Sequence, residues 1–359
     1  MIFQLIFVIG YIGLTIYLAN QAQLARNLQE GAYTGSNTET SVRILLYVGV
    51  FFMLLVGFNV LFLAMGSEQI VEQGGDVDLP EIDGAVALLT LLATVVMGFA
   101  AYRLISSSRT RLWLQNRFGK GHGSYDATSI VHTTAIVLAL LLLTGQMYLF
   151  VIEGGASGIA ESVENEGVAP GDLIFQVVLE VVIAFLGIGW AIRRTLPQAL
   201  KRLGLRTPTR DDWTWGVGIG IALIGLLFAY SMMINILIEL GLVSESEIIQ
   251  QGEAAESLAR AFATLPLAVL LSASAAIGEE TFFRGALQPV FGIVPVSAFF
   301  ALMHSQYLFT PNIVFIFIVS YLLGRLRAQQ STTSAMIAHF LYNLIIQLNV
   351  ILAVSAEAV

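Results

Sequence analysis

Hydrophobic residues occur in long, nearly uninterrupted runs that are separated by short polar segments. About 20 consecutive apolar residues are needed for an α-helix to cross a bilayer. Ten segments of this kind, the eighth and ninth of them short, can be drawn along the chain: 2–19, 42–65, 85–102, 128–152, 173–192, 213–238, 267–284, 293–308, 312–326 and 334–354. The pattern therefore predicts an all-α protein, a polytopic transmembrane bundle of about ten helices.

The overall composition agrees with a membrane protein. Of the 359 residues, 57% are hydrophobic and only 12% are charged, whereas a soluble domain carries about 25% charged residues. The net charge of −8 argues against nucleic acid as a partner. The chain has no cysteine, which excludes disulfides, thiolate zinc sites and a cysteine nucleophile.

The charges of the loops predict the topology. The loops 103–120 and 193–210 carry arginine and lysine and no acidic residue, whereas the loops between them and on either side are rich in aspartate and glutamate. Basic loops are retained in the cytoplasm. We therefore expect an integral, multi-pass membrane protein with both termini outside.

The basic stretch around residue 198 is the best candidate for a domain boundary. The predicted helices before it contain few charges, and those after it contain every motif whose residues could take part in a reaction. This asymmetry predicts an N-terminal transmembrane region of about five helices, residues 1–198, of unknown function. Residues 199–359 would then form a second domain, which contains these motifs.

The first motif is a pair of adjacent acids followed by an arginine on the seventh predicted helix. Residues four apart share one helix face, so Glu280 and Arg284 can pair. Glu279 is rotated by about 100° and can point elsewhere, free to act as a base. The alternative is structural: all three side chains form an interhelical clamp, with Arg284 reaching toward the cytoplasmic interface.

Two further motifs lie on later helices. Phe300-x-x-x-His304 is on the eighth and His339-x-x-x-Asn343 is on the tenth. Each motif taken alone is explained equally well by a structural role, in which its side chains form hydrogen bonds between helices. The predicted topology, however, places Glu279 and both histidines in the cytoplasmic half of the bilayer. A carboxylate, two imidazoles and an amide can activate water and hold an oxyanion, which predicts hydrolysis inside the membrane.

The ordered set of three motifs resembles the CPBP family of intramembrane proteases. This family comprises the CAAX prenyl endopeptidases and the bacteriocin-processing or self-immunity proteins, also called Abi. The resemblance extends over about residues 200–354 and implies that residues 199–359 form a CPBP-like intramembrane protease domain, the catalytic domain. The matching positions are Glu279, Glu280, Arg284, Phe300, His304, His339 and Asn343.

The resemblance implies a role for each matching residue. Glu279, helped by His304, would activate a water, and His339 with Asn343 would stabilise the oxyanion. The remaining three, Glu280, Arg284 and Phe300, would support the site structurally.

The resemblance also leaves a metal-dependent mechanism open. Glu279, His304 and His339 would then bind zinc, since two histidines and a carboxylate form a known catalytic zinc set. No HExxH motif is present, and we favour a mechanism without a cofactor. The expected partners are a membrane protein or peptide substrate and the lipid bilayer.

A second class of function stays open at this stage. Intramembrane carboxylates and histidines can also relay protons, so the alternative is a non-enzymatic membrane scaffold or a proton-coupled transporter. Glu180, in the middle of the fifth predicted helix, either lines the cavity or pairs with a helix neighbour.

Overall fold

The computed structural model describes most of the chain as a bundle of α-helices without β-strands. The described residues are 2–28, 36–72, 82–118, 124–244, 252, 256–304, 307 and 310–357.

The described residues of the first half of the chain form seven helices. They are α1 (Ile2–Leu28), α2 (Asn37–Glu72), α3 (Gly84–Ser106), α4 (Ser108–Phe118), α5 (Ile130–Ile152), α6 (Gly155–Glu166) and α7 (Pro170–Gly187). The second half continues with α8 (Leu196–Leu203), α9 (Arg210–Glu239), α10 (Leu265–Glu279), a π-helical segment (Glu280–Leu287), α11 (Gln288–Phe291), α12 (Ile293–Met303), α13 (Asn312–Gln329) and α14 (Thr332–Glu357).

Each of the ten predicted apolar segments overlaps a helix, and residues 305, 306 and 308 of the eighth lie outside the described residues. Among the described residues, eight helical segments are long and apolar enough to cross a membrane. Large apolar side chains such as Phe62 and Phe228, 74% and 65% exposed, cover the outer faces. Such exposure is expected where lipid surrounds the helices. The prediction of a helical, multi-pass membrane bundle is confirmed.

The chain divides into two compact units. The first contains Met1–Gly154, Phe185–Ala199 and Val290–Gly292. In it, α2 packs against α1, α3 and α5, around buried residues such as Leu46 and Met53.

The second unit contains Gly155–Ala184, Leu200–Pro289 and Ile293–Val359. Residues 155–184 thus cluster with the C-terminal helices. The predicted division at residue 198 into a region of unknown function and a catalytic domain stays a prediction, because compactness does not test function.

Two glycines allow α9 and α14 to approach closely in the second unit. A Cβ atom on Gly216 would lie 2.8 Å from Ile337 Cβ and 2.9 Å from the Ser334 carbonyl oxygen. A Cβ on Gly220, one turn later, would lie 3.1 Å from the Ala338 carbonyl oxygen. Small residues four apart are a common way to bring membrane helices together. This contact fixes the part of α14 that carries His339.

The seventh predicted helix is not a continuous α-helix. The sequence predicts one regular helix over residues 267–284, but the chain widens into a π-helix at Glu280. Arginine side chains bond the carbonyl groups of this segment: Arg327 Nε donates to the Arg284 oxygen at 3.0 Å, and Arg202 Nη1 donates to the Gly285 oxygen at 3.0 Å. These distant bonds satisfy backbone groups in the irregular turn, and local sequence does not reveal them.

Candidate active site

The buried centre of the site is an ion pair within the π-helical segment. Glu280 Oε2 lies 3.2 Å from Arg284 Nε, and the two side chains are 0% and 1% exposed. Arg284 Nη2 also donates to Ser320 Oγ at 3.1 Å. The predicted pairing of Glu280 with Arg284 is therefore present, and α13 contributes an additional partner through Ser320.

His339 lies between the two glutamates. Its Nδ1 is 2.9 Å from Glu280 Oε1, and its Nε2 is 3.9 Å from Glu279 Oε2. A carboxylate only accepts hydrogen bonds, so Nδ1 carries a hydrogen and donates a hydrogen bond to Glu280. The distance from Nε2 to Glu279 is too long for a direct hydrogen bond. A water or a substrate oxygen placed there could contact both groups.

Glu279 differs from Glu280 in its surroundings. Its side chain is 14% exposed, compared with 0% for Glu280. Its Oε2 atom is buried without a hydrogen-bond partner among the described residues. Glu280 Oε2 also forms no hydrogen bond among the described residues, but it lies 3.2 Å from Arg284 Nε, and Glu280 Oε1 is bonded to His339. Glu280 is thus held by two structural partners, whereas Glu279 Oε2 faces His339 Nε2 at the longer distance of 3.9 Å.

Phe300 contacts three of the predicted site residues. Its ring centroid is 4.4 Å from Arg284 Cζ, 4.5 Å from the His304 ring and 6.4 Å from the His339 ring. The contact with the guanidinium has cation–π geometry. Phe300 is 3% exposed, so its ring is a buried apolar surface against which these polar groups pack.

His304 directly follows α12, and its tautomer can be assigned from one hydrogen bond. Nδ1 lies 2.9 Å from the Phe300 carbonyl oxygen, which can only accept, so Nδ1 carries the proton. In the neutral ring Nε2 is then an acceptor. Asn343 lies one turn beyond His339 on the same face of α14 and is partly buried.

Glu180 on α7 lies beside the first motif. A Cβ atom on Gly278 would be 2.0 Å from Glu180 Oε2 and 3.3 Å from Val177 Cα, so α7 and α10 touch where the motif begins. Gln176 Nε2 donates to Glu180 Oε1 at 3.2 Å. Glu180 therefore pairs within its helix and also adds a third carboxylate next to Glu279.

A second buried carboxylate anchors the start of α14. Asp212, 0% exposed, accepts hydrogen bonds from Arg206 Nε at 3.0 Å, Thr209 Oγ1 at 2.7 Å and Ser331 Oγ at 2.6 Å. It also accepts from Ser334 Oγ. The bond with Asp212 raises the pKa of the Arg206 guanidinium. This network joins α9 to the first turn of α14, two turns before His339.

The candidate zinc ligands do not form a compact set. Within the described residues, no group of three histidine, aspartate or glutamate side chains is placed to hold a metal ion. The bond from His339 Nδ1 to Glu280 leaves Nε2 free, as it is in histidines that bind metals. The arrangement of the described residues therefore lacks a third ligand at one point, and a chelation experiment tests metal dependence.

Three features of the site were not predicted. The bond from His339 to Glu280 joins residues 59 positions apart, and Ser320 and Gly278 gave no chemical signal in the sequence. The small residue before the two acids was the one available hint, since small residues mark close helix contacts. The assigned roles of all seven motif residues stay predictions.

The fold and the site define a multi-pass helical membrane protein with a buried carboxylate–imidazole cluster. Residues 261–345 match the sequence model of the type II CAAX prenyl endopeptidase Rce1-like family. This segment includes all three motifs, and the match confirms the predicted resemblance to CPBP proteases. A search of curated proteins and a search of solved structures found no match.

Proposed function

We propose that the chain is an intramembrane endopeptidase that hydrolyses peptide bonds in membrane-associated peptides or proteins. The match of residues 261–345 to a protease family supports an enzyme of this kind. The observation that carries the proposal is the position of His339, with Nδ1 on Glu280 and Nε2 facing Glu279. This arrangement puts an oriented imidazole next to a carboxylate with an available oxygen, as hydrolysis requires.

In the proposed reaction, Glu279 removes a proton from a water, and the resulting hydroxide attacks the peptide carbonyl carbon. The carbonyl oxygen becomes an oxyanion. His339, in its imidazolium form, donates Nε2–H to this oxygen, and the Asn343 amide donates a second hydrogen bond. Glu279 then passes its proton to the leaving nitrogen as the carbon–nitrogen bond breaks.

Glu280 acts as a positioning residue in this scheme. Its carboxylate fixes the ring orientation of His339 and is itself held by Arg284. His304 has an unprotonated Nε2 when neutral, which suits it to accept a hydrogen bond from the attacking water.

The test is a comparison of new peptide N-termini in membranes that contain the native chain or Glu279→Gln at equal abundance. Glu161→Gln is the matched control, since Glu161 is an exposed acid on α6. We expect a set of termini that is present with the native chain and with Glu161→Gln and is absent with Glu279→Gln. Identical sets from all three proteins would refute proteolysis and favour the scaffold or transporter.

The substrate class is tested separately. The matched family is described as prenyl endopeptidases, so the first substrate pair is a farnesylated CAAX peptide and the same peptide without the lipid. Faster cleavage of the farnesylated peptide by the native chain would assign CAAX processing. Cleavage of other membrane peptides alone would assign the broader peptidase activity.

Metal dependence is tested with the same assay. We expect cleavage to survive dialysis against a chelator, because the three candidate ligands are not grouped around one point. Activity that is lost on chelation and restored by zinc would replace the glutamate mechanism with a zinc mechanism.

A further inference from the structure

A cluster of arginines lines a cavity in the first unit. Residues of α1 to α5 and of the loop before α5 form this cavity. The cavity has a volume of about 260 Å³, and Arg26, Arg43, Arg111 and Glu39 are among its lining residues. Three guanidinium groups therefore face one carboxylate among the described lining residues. Such an excess of positive charge around one cavity attracts anions.

The cavity lies at one end of the helices of this unit. Arg26 is in the last turn of α1, Glu39 is in the first turn of α2, and Arg111 is on α4, directly after α3. The ends of membrane-spanning helices lie at the level of the lipid headgroups. The loop charges predict that this end is cytoplasmic, where anionic lipids attract basic groups.

Arg111 is held rigidly at the edge of the cavity. Its Nη1 donates to the Leu104 oxygen at 2.7 Å, and its Nε donates to the Ala127 oxygen at 3.1 Å. Partial burial, followed by the nearby charge of Arg43, lowers the pKa of the Arg111 guanidinium. The hydrogen bonds thus fix the position of Arg111, and its guanidinium is partly buried with another positive charge close to it.

Arg43 has donors left over for a ligand. Its Nη2 donates to Glu39 Oε1 at 2.8 Å. Its Nε and Nη1 form no hydrogen bond with any residue that the structure describes. Glu39 is 12% exposed and Arg43 is 46% exposed, so the acid is fixed inside while the guanidinium can turn toward an incoming anion.

We propose that this cavity binds a phosphate group, supplied either by the headgroup of an anionic lipid or by free phosphate. Arginine forks match the oxygens of phosphate in charge and in geometry. The cavity, at about 260 Å³, is smaller than the roughly 300–1,000 Å³ typical of drug-sized ligands, which suits a small anion or a headgroup. The inference is independent of the proposed protease activity.

Four proteins test the site: the native full chain, Arg43→Gln, Glu39→Gln and Arg109→Gln, all purified in a neutral detergent. Arg109 is the matched control, since it is an exposed arginine on α4 that does not line the cavity. Binding of phosphatidylglycerol is measured by native mass spectrometry at increasing lipid concentration. Phosphatidylcholine with the same acyl chains and inorganic phosphate are measured in parallel.

The two cavity variants are expected to change affinity in opposite directions. Loss of a charge-assisted hydrogen bond in Arg43→Gln should weaken phosphatidylglycerol binding roughly tenfold or more. Glu39→Gln should strengthen it, because it removes the negative charge beside the ligand and releases Arg43. Arg109→Gln should bind like the native chain. Misfolding would weaken lipid binding in both variants, so it cannot explain weaker binding by Arg43→Gln together with stronger binding by Glu39→Gln.

The other two probes identify the source of the phosphate group. Selective binding of phosphatidylglycerol over inorganic phosphate assigns a lipid site, and binding of inorganic phosphate with the same variant pattern assigns a free-anion site. Either result supports the proposal. It is overturned if neither anion binds, if phosphatidylcholine binds equally well, if Glu39→Gln weakens binding, or if Arg109→Gln loses as much affinity as Arg43→Gln.

Discussion

Replacing Glu280 with glutamine should destabilise the protein strongly. The substitution keeps the size of the side chain but removes its charge. It leaves Arg284, which is 1% exposed and 3.2 Å from Glu280, as a buried cation without its counter-ion. It also removes the carboxylate that accepts the hydrogen bond from His339 Nδ1.

The magnitude follows from the burial of both charges. Removing one partner of a fully buried ion pair costs about 3–5 kcal/mol, because the remaining charge stays desolvated. The hydrogen bond from Arg284 to Ser320 and the contact with Phe300 remain and offset part of this loss. We expect the free energy of unfolding to fall by about 3 kcal/mol, at the lower end of that range.

The assay is reversible unfolding of the purified chain in mixed micelles with increasing sodium dodecyl sulfate. Glu280→Gln, Arg284→Gln and the double variant complete a thermodynamic cycle. The double variant should lose less than the sum of the single losses, because it leaves no unpaired charge. Glu357→Gln, which affects an exposed ion pair with Arg260, is the control and should unfold like the native chain.

The reasoning would be refuted if the stability losses of the two single variants were additive. Independent sites add within about 0.5 kcal/mol, so a double variant that matches the sum of the two single variants would show that the pair is not coupled. Unchanged stability of Glu280→Gln would show that Arg284 is hydrated rather than buried.

Three further predictions concern packing and topology. Gly216→Ala should separate α9 from α14 and lower stability by about 1–3 kcal/mol, whereas Gly218→Ala, which has no neighbour within 4 Å, should be neutral or stabilising in the same unfolding assay. Gly278→Ala should push the Glu180 side chain aside, since the new Cβ would be 2.0 Å from its carboxylate oxygen, and crowd the α7 backbone at Val177 Cα, 3.3 Å away. We expect reduced cleavage of substrate, and unchanged cleavage would show that this contact does not support the site. Because the chain has no cysteine, variants with a single introduced cysteine report topology directly. In intact cells an impermeant maleimide should label Glu161→Cys and should not label Asn116→Cys. The reverse labelling pattern would show that the predicted orientation is inverted.

The sequence by itself determined the features that depend on local pattern. Long apolar runs predict membrane helices because the cost of placing a polar side chain or a broken backbone in lipid is set residue by residue. The pairing of Glu280 with Arg284 was predicted because residues four apart on a helix are neighbours wherever that helix packs. The three motifs, taken in order, also indicated the protease family.

Only the tertiary structure decided which distant side chains meet. Glu280 bonds to His339, 59 positions away, and Glu180 lies against Gly278. Helix periodicity specifies which face a residue occupies, but it does not specify the neighbour of that face. In lipid, close packing at small residues and polar contacts between helices determine which helices are neighbours. These interactions depend on the sequences of all the helices and not on one helix alone. This is why Glu279, Glu280 and His339 could be selected from the sequence as candidate site residues, whereas the bond between Glu280 and His339 could not be predicted.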